Sequence, residues 1–457
     1  MHFQGCPFKK LILGLLLLAS SSLLRAEDSL GNGPFVVEKE RYVINGRTRH
    51  EVLSNFLGDA QGMIFETEED LASFVTARER KLENRRIFKE SSVKVIVSSE
   101  ERATEGATPI ILETRITDGK AFVPIPFAFY NSNEGVMAGV LGNAPNVRGS
   151  MQDVLFTGLY SAPPDQNDDL QWTDPNFILL LNWSGILLYP PFSLGFFTSI
   201  MKMNRKIEDR GEVLAKYNAL SLIGTINLSI PIGQSAENTF SFGGRHILTN
   251  KVEFAETDES LAYGPYDWTI TVKDTFSIKR FNWRGHFKEG WKGQLEAEWE
   301  FIDPTHSACR TDVTLSGEAS IFRIIGTRFN PQARIAAFTN TDLPHLDVAS
   351  KVRGLRNGEL KANTAITANT NVQILLARIG GTEIHLSPGF DIALAWTPEE
   401  DEREYDWACA AGGELLLFFD SIKSLPIKFG YAYDLRPPER NGSGKRYEIE
   451  FTFSLSY

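Results

Sequence analysis

Cysteine is scarce in this sequence, with three residues in a chain of 457. Cys6 precedes the apolar run near the N-terminus, so it cannot be the lipid-bearing cysteine of a lipoprotein signal. Cys309 and Cys409 lie a hundred residues apart. In an exported protein they can pair, but their spacing is equally compatible with two separate thiols.

Motifs that carry catalysis are also missing. The seven histidines are scattered without a His-Glu-x-x-His pair for zinc, and no Gly-x-Ser-x-Gly nucleophile elbow occurs. The segment "NGSGKR" at 441–446 resembles a phosphate-binding loop, but Arg446 stands where serine or threonine is required. It precedes the last predicted strand and is interpreted as a hairpin loop. We therefore expect no enzymatic activity, metal, cofactor or small-molecule substrate.

Outside its first residues, the sequence has no uninterrupted apolar run long enough for a membrane-spanning helix. The most apolar run, at 176–201, reads "NFILLLNWSGILLYPPFSLGFFTSIM". Pro190 and Pro191 would break a helix, and Asn182 and Gly185 interrupt its first half. The run is therefore predicted to form two strands joined by a tight turn at the prolines.

An excess of positive charge is absent as well, since the formal net charge is −11 at pH 7. Binding of nucleic acid requires a basic surface that neutralises phosphates, so the charge argues against nucleic acid as a partner.

What the N-terminus does have is the layout of a secretory signal peptide. Lys9 and Lys10 precede an apolar run too short for a membrane-spanning helix, and small residues follow. Cleavage is predicted after Ala26, although Leu24 fits poorly at the third position before the cut. Removing residues 1–26 takes away three basic groups and no acidic ones, so the charge of −11 becomes −14.

Residues 42–117 combine helical and strand patterns. A strand is predicted over Tyr42 to Thr48, followed by a short helix and a second helix with the capping box "TEED" at 67–70. Two strands follow at 92–98 and 110–117. The apolar faces of the two helices are Val52, Leu53, Phe56 and Leu57, and Leu71, Phe74, Val75 and Leu82. The order strand, helix, helix, strand, strand predicts one small α+β domain.

Beyond Pro126 the helical period disappears and strict alternation replaces it. The segment "YEIEFTFSLSY" at 447–457 places apolar and aromatic residues on one face and Glu, Thr and Ser on the other. Its length is that of a tilted strand crossing a bilayer. The runs at 220–232 and 294–301 alternate in the same way, and three glutamates on one face of the latter favour a wet lumen over a dry core. The pattern predicts an outer-membrane β-barrel.

The first unit resembles a POTRA domain, a periplasmic module that holds extended polypeptides by strand addition. The resemblance is carried by the element order, by Asn45-Gly46 leaving the first strand, and by "RRIF" at 85–88 before the second. There is room for one such domain only. On the pattern alone, a generic small α+β domain is the alternative.

The second unit carries "KVRG" at 351–354, where the connection between strands eleven and twelve of a sixteen-stranded barrel over 127–457 would fall. This segment resembles the lumen-entering sixth loop of the BamA-type superfamily (bacterial surface antigen type), whose tip is Val-Arg-Gly followed by an aromatic residue. Leu355 stands in place of that aromatic residue. A second Val-Arg-Gly at 147–149 follows the first predicted strand, where the family has no such loop, and is interpreted as a coincidence.

The resemblance assigns a role to each residue of the motif. The loop tip would be Val352, Arg353, Gly354 and Leu355. Asp391, in the strand-like run "GFDIALAW" at 389–396, would accept the loop arginine on the barrel wall, and Ala393 departs from the glycine usual in the family. The alternative is an exposed hairpin in which Arg353 faces solvent.

In the same family the first and last barrel strands pair weakly and form a proposed lateral gate. The first strand is predicted at 133–143, where Gly135 and Gly139 would weaken the seam with Phe453 and Tyr457 of the last strand. The alternative is that these glycines only let the sheet bend where the barrel closes.

Together, the resemblance implies a signal peptide at 1–26, a POTRA-like periplasmic domain at 27–120 and a mainly β transmembrane barrel of about sixteen antiparallel strands at 127–457. It implies a protein of the bacterial outer membrane whose first domain receives unfolded client polypeptides. The barrel would insert these clients into the membrane or translocate them across it, so the implied partners are outer-membrane lipid and client polypeptides. The alternatives are a passive outer-membrane pore without client handling and a soluble periplasmic binding protein built on a β-sandwich.

Overall fold

The computed structural model describes residues 34–98, 107–131, 135–161, 176–189, 192–209, 212–233, 235–254, 268–303, 310–341, 346–355, 360–398, 403–419, 422–436 and 447–453. The predicted signal peptide at 1–26 lies outside these ranges. The described chain forms a small N-terminal α+β domain followed by a closed antiparallel β-barrel. The fold class predicted from the sequence is confirmed.

The N-terminal domain contains four strands and two helices. Its elements are β1 (Phe35–Asn45), α1 (His50–Leu57), β2 (Ile64–Phe65), α2 (Glu68–Arg85), β3 (Phe88–Val97) and β4 (Thr108–Asp118). The sheet order is β2-β1-β4-β3, with β1 and β4 parallel and the other two pairs antiparallel. The predicted order of elements holds, except that β1 begins at Phe35 rather than Tyr42. The added β2 is too short to leave a periodic pattern in the sequence.

The sequence determines where the helices begin and which faces they bury. Oγ1 of Thr67 accepts a hydrogen bond from the backbone N–H of Asp70 at 3.1 Å, so α2 begins at the predicted cap. The apolar faces of α1 and α2 pack against the sheet around Leu53, Leu82 and Leu112, none of which has any exposed surface. This domain therefore has a core of its own.

Sixteen strands form the barrel. They are β5 (Val123–Asn131), β6 (Gly135–Ala144), β7 (Asp153–Ser161), β8 (Asn176–Tyr189), β9 (Phe192–Asp209), β10 (Glu212–Ile232), β11 (Ala236–Phe254), β12 (Trp268–Arg284), β13 (Phe287–Asp303), β14 (Arg310–Phe322), β15 (Phe329–Asn340), β18 (Thr364–Ile379), β19 (Thr382–Pro398), β20 (Arg403–Phe419), β21 (Ile422–Asp434) and β22 (Tyr447–Phe453). Each pairs with its neighbour in the sequence, and β22 pairs with β5 to close the cylinder. Two short strands, β16 (Leu346–Asp347) and β17 (Lys361–Ala362), form a ribbon in the connection between β15 and β18.

The first barrel strand is not the predicted one. The sequence placed the start of the barrel at residue 127 and the first strand at 133–143, whereas the first strand is β5, which begins at Val123. Most of the predicted first strand belongs to β6, the second strand of the barrel. This correction moves the seam away from Gly135 and Gly139.

The error has a physical cause, because Pro124 and Pro126 make β5 look unlike a strand. Proline cannot donate to a β-ladder, so prolines in sheets are confined to edges and bulges. β5 pairs with β6 along its whole length, but within the described residues it pairs with β22 only at Tyr130 and Asn131. Pro124 and Pro126 are two residues apart, so the backbone donors that they lack would lie on the same edge of β5.

The predicted division between an apolar outer face and a polar lumen is present. Leu295 on β13 is 64% exposed on the outer surface. Its neighbours Glu296 and Glu298 point inward, where Nζ of Lys273 lies 3.7 Å from a carboxylate oxygen of each. The three glutamates of this strand are therefore tolerated because the lumen supplies water and cations.

Aromatic side chains mark one end of the barrel. Five exposed rings lie at the same end of their strands, opposite the N-terminal domain: Tyr160, Trp268, Tyr405, Tyr433 and Tyr447. Amphipathic rings of this kind gather at the boundary between lipid and water in transmembrane barrels. Among the described residues, no helix has the length and apolar character needed to cross a membrane.

The N-terminal domain is docked on two turns of the barrel, the first of which joins β6 to β7. The carbonyl of Gly149 accepts a hydrogen bond from the backbone N–H of Arg49 at 3.0 Å, and Nδ2 of Asn146 donates to Oγ1 of Thr48 at 2.7 Å. Gly149 has φ +75°, and a Cβ there would overlap the backbone of the N-terminal domain. The Val-Arg-Gly copy at 147–149 therefore lies in a domain contact, not in the lumen.

The second turn joins β12 to β13 and contacts the end of α2. The side chain of Asn84 donates to Oδ1 of Asn282 and accepts from the backbone N–H of Trp283, both at 3.0 Å. The guanidinium of Arg86 lies 3.9 Å from the centroid of the Trp283 ring, in cation–π geometry. Burial lowers the pKa of Arg86 to about 10, and Glu83 acts in the opposite direction, so Arg86 is charged at neutral pH.

Candidate functional site

The connection between β15 and β18, the eleventh and twelfth barrel strands, turns back into the barrel. Its described part, 346–355 and 360–363, includes the β16–β17 ribbon and a 3₁₀ turn at Ala349–Lys351. Residues of this connection line a cavity of about 500 Å³ together with side chains from β13, β14, β15, β18, β19, β20 and β21. The connection, called the lumen loop below, is therefore enclosed by the barrel wall.

Arg353 anchors the lumen loop to Asp391 on β19. The guanidinium donates from Nε to Oδ2 at 2.8 Å and from Nη2 to Oδ1 at 2.6 Å, the two parallel bonds of a bidentate pair. The backbone N–H of Arg353 donates to the same Oδ2 at 2.9 Å. The Asp391 side chain is 1% exposed and that of Arg353 is 22% exposed, so the pair is largely shielded from water.

Two glycines make room for this pair. Gly354 has φ +81°, a conformation that side chains with a Cβ rarely adopt, and it lies against the backbone of Ala432 and Tyr433 on β21. Gly389, two residues before Asp391 on β19, lies directly under the guanidinium, where a Cβ would overlap it. The sequence had identified Gly354, but nothing in the motif pointed to Gly389.

The surroundings of Arg353 keep it charged. Burial would lower the pKa of its guanidinium, but hydrogen bonding to Asp391 and the charges of Asp391 and Glu414 raise the pKa above its usual range. Nη1 of Arg353 lies 4.0 Å from Glu414 on β20. Nδ2 of Asn369 donates to the carbonyl of Lys351 at 3.1 Å and holds the adjoining backbone.

An apolar cluster fixes the rest of the lumen loop. It joins Val348, Ala349, Val352, Leu355, Leu360 and Ala362 of the loop to Ala365, Ala393, Ala395, Ala408 and Ala410 on the wall. Leu355, which replaces the aromatic residue of the family motif, is 1% exposed and therefore packs without a ring. Ala393, which replaces the usual glycine, is fully buried in the same cluster.

Sequence reasoning missed the wall of this cluster. The alanines alternate in "ALA" at 393–395 on β19 and in "ACA" at 408–410 on β20, so they share the lumen face. Small residues at alternate positions of two neighbouring strands were the available signal for a surface that accepts another segment.

Among the described residues, the pairing between β5 and β22 covers two positions. Within the described residues its pairs are Tyr130 with Phe451 and Asn131 with Glu450, whereas β21 and β22 pair over seven positions. Phe453 lies on β22 and pairs with Ile427 of β21. Tyr457 lies outside the described residues.

The two glycines predicted for the seam are not at it. Gly135 pairs with Asn131 on β5, and Gly139 lies opposite Phe127. A Cβ on Gly139 would overlap the carbonyl of Gly158 on β7, so this glycine permits close contact between the second and third strands. The structure therefore does not bring Gly135 and Gly139 together with the last strand.

The remaining candidates for chemistry are few. The described residues contain no group of three or more His, Cys, Asp or Glu side chains placed to bind a metal ion. Cys409 on β20 is a free thiol, and Cys309 lies outside the described residues.

No protein-family model and no curated protein matches the sequence. Solved protein structures, in contrast, match the fold of this chain. BamA from Haemophilus ducreyi lacking POTRA domains 1–3 is 12% identical, with 92% of this chain and 84% of that chain covered and a TM-score of 0.53. CdiB from Acinetobacter baumannii is 13% identical over 93% of this chain and 74% of that one, with a TM-score of 0.57. CdiB from Escherichia coli is 11% identical, with 97% of this chain and 93% of that chain covered and a TM-score of 0.53.

These likenesses cover both the N-terminal domain and the barrel, since each spans more than nine tenths of this chain. At this level of identity they show a shared fold. The resemblance to the BamA-type superfamily that the sequence predicted is confirmed at the level of the fold, which is that of a small α+β domain followed by a sixteen-stranded barrel.

Proposed function

We propose that this protein is a non-enzymatic outer-membrane factor that inserts client polypeptides into the outer membrane or translocates them across it. The observation that carries the proposal is the lumen loop, held inside the barrel by the Arg353–Asp391 pair. The described parts of the first and last barrel strands pair at two positions, which supports it. A fixed internal loop would guide a client within the lumen, and the β5–β22 seam would be the place where the wall can part.

The N-terminal domain supports client reception. In the sheet order β2-β1-β4-β3, β3 is an edge strand, and Ile96 and Val97 on it are 40% and 48% exposed. The N–H of Ser98 bonds to Pro109 of β4, so by alternation the N–H groups of Val95 and Val97 point away from the sheet. Such an edge accepts an extended chain through backbone hydrogen bonds, as a POTRA-like domain would.

The proposal places the barrel in the bacterial outer membrane with the docked domain on the periplasmic side. The exposed aromatic rings at the opposite end would then lie at the outer boundary of the lipid. Outer-membrane lipid and unfolded clients are the partners. The lumen loop fills space that a passive pore would leave open, which favours client handling over passive diffusion.

Depletion of the protein from its native bacterium tests the proposal. Mass spectrometry of the outer membrane and of the secreted proteins should reveal a set of proteins that disappears on depletion and returns with the wild-type gene. The Arg353→Ala variant, present at the wild-type level, should fail to restore that set. An unchanged protein catalogue after full depletion would favour a passive or structural barrel.

A further inference from the structure

The lumen cavity has an excess of positive charge that the anchoring pair does not explain. Six cationic side chains line it: Lys288, Lys292, Arg334, Lys351, Arg353 and Lys428. Only Asp391 and Glu414 among the lining residues carry negative charge. In a protein whose formal net charge is −11, this local reversal of sign distinguishes the cavity from the rest of the chain.

The nearby carboxylates are already engaged. Asp391 binds Arg353, as described above. Glu318, beside the cavity on β14, accepts from Nζ of Lys292 at 2.8 Å and from Nη2 of Arg334 at 2.6 Å. Glu414 lies 4.0 Å from the guanidinium of Arg353 and also lies near the Lys428 ammonium. Three carboxylates are thus paired with four of these cations. The cations still outnumber the carboxylates, so the cavity has a net positive charge.

Two of the lysines have no carboxylate partner among the described residues. Nζ of Lys288 lies 4.6 Å from the centroid of the Trp283 ring and 5.3 Å from that of Phe322. Aromatic faces hold an ammonium group in place without neutralising its charge. Lys351, at the tip of the lumen loop, is exposed to the cavity and forms no ion pair with any described carboxylate.

The arrangement suits an extended ligand better than a single small ion. Lys288 and Lys292 share the lumen face of β13 four residues apart, which separates their Cα atoms by about 13 Å. The volume of about 500 Å³ is that of a site for a small molecule or a short segment. Asn369, Asn371 and Gln332 add amide groups to the lining. Their nitrogens already donate to neighbouring protein groups, and their oxygens can accept from the backbone N–H groups of a peptide.

We propose that this cavity binds acidic side chains of an extended polypeptide segment within the barrel lumen. The inference rests on the proposed function, because it takes the segment to be part of a client. The ammonium groups of Lys288 and Lys351 would bind carboxylates of the segment, and the oxygens of the neutral amides would accept from its backbone.

Binding of a labelled hexaglutamate peptide to the full chain in detergent or nanodiscs tests this inference. Fluorescence anisotropy should show binding to the wild type that weakens as salt is raised, whereas hexalysine should not bind. The double variant Lys288→Gln/Lys351→Gln should lose about tenfold or more in affinity, as expected when charge-assisted hydrogen bonds are removed. The matched control, Lys39→Gln/Lys94→Gln, makes the same change of charge on exposed residues of the N-terminal domain and should bind like the wild type.

Several results would overturn the inference. One is equal affinity for hexaglutamate and hexalysine, and another is equal loss in the two double variants. Binding of inorganic phosphate without binding of hexaglutamate would mean that the site takes a small anion and not an acidic peptide. Heat-modifiable migration on a gel shows whether each variant has kept its barrel. This outcome can be told apart from a failure of the proposed function. If the peptide binds but depletion causes no loss of clients, the binding site stands and the proposed function is wrong. If depletion causes a loss of clients but the peptide does not bind, only the binding site is wrong.

Discussion

The backbone N–H and the guanidinium of Arg353 bind one carboxylate, that of Asp391, at 2.9, 2.8 and 2.6 Å. Main chain and side chain of the loop tip therefore converge on a single point of the barrel wall. A lysine would supply one point charge in place of the planar fork and would lose the bidentate geometry. Ordering a long loop costs conformational entropy, which this shielded pair offsets.

Removal of either partner should release the lumen loop. Arg353→Ala leaves a carboxylate that is 1% exposed without its counter-ion, which costs about 3 kcal/mol locally, at the lower end of the range for buried pairs because Arg353 is partly exposed. Hydrogen exchange of residues 348–355 should accelerate in Arg353→Ala and in Asp391→Ala. The double variant should be little worse than either single variant, since the two residues act as a unit.

The exposed pair of Arg284 and Glu289, 3.1 Å apart near the turn end, provides the control. Arg284→Ala should cost about 0–1 kcal/mol and leave the exchange of the lumen loop unchanged. Additive losses for the Arg353 and Asp391 substitutions would mean that the two residues act separately.

Leu355 should tolerate neither a smaller nor a larger side chain. Leu355→Ala would leave a cavity in the alanine-walled cluster and destabilise the loop by about 2–5 kcal/mol. Leu355→Phe restores the aromatic residue of the family motif but adds volume against Ala393, at a cost of about 1–3 kcal/mol. The rate at which a protease cleaves the lumen loop in the folded protein measures the effect of each substitution. Leu295→Ala on the outer surface of the barrel is the control. Cleavage of the loop as fast in Leu295→Ala as in Leu355→Ala would argue against the packed cluster.

Docking of the N-terminal domain should depend on Gly149. Gly149→Ala places a Cβ where the backbone of the N-terminal domain lies, at a residue with φ +75°, so the domain should separate from the turn. A disulfide between Asn84→Cys and Asn282→Cys, which joins residues in contact, should form readily in the wild-type background and poorly in Gly149→Ala. Arg148→Ala, at the exposed neighbouring position, should leave crosslinking unchanged. Equal yields in all three backgrounds would show that this turn does not hold the domain.

The edge of β3 can be blocked without breaking its sheet. Val97 directs its N–H away from β4, so Val97→Pro removes a donor from the free edge and keeps the ladder. Ile96→Pro, one residue earlier, removes a ladder donor and should unfold the strand. We expect Val97→Pro to fold normally, by circular dichroism, and to lose capture of an unfolded peptide in crosslinking. Unchanged capture would show that clients do not add to this edge.

Much of the fold was predictable because its elements leave periodic signals. The cap at Thr67, the alternation at 294–301 and the proline break in 176–201 each follow from local physics, and the structure has the expected helix, strand and hairpin. β5 was missed because Pro124 and Pro126 contradict the usual strand composition. In the structure both prolines lie where β5 has no described pairing with β22, a tertiary feature that local composition does not show.

The candidate site was predictable in part. Arg353 and Asp391 came from a motif resemblance, and the structure brings them into contact. The alternating alanines of β19 and β20 were a visible signal for a small-residue face, but which segment packs on that face is set by contacts distant in the sequence. The position of Gly389 under the Arg353 guanidinium depends on the same nonlocal contacts. The docking role of 147–149 was missed for the same reason, since its partner Arg49 belongs to another domain.

A reversible disulfide across the seam tests whether clients pass between the first and last barrel strands. Tyr130 and Phe451 face each other in register across β5 and β22, so Tyr130→Cys/Phe451→Cys should form a disulfide in the native membrane once the natural cysteines are replaced by serine. We expect the oxidised barrel to reproduce the client loss seen on depletion and a reductant to restore the clients. Efficient crosslinking with an unchanged catalogue of outer-membrane and secreted proteins would contradict client passage through this seam.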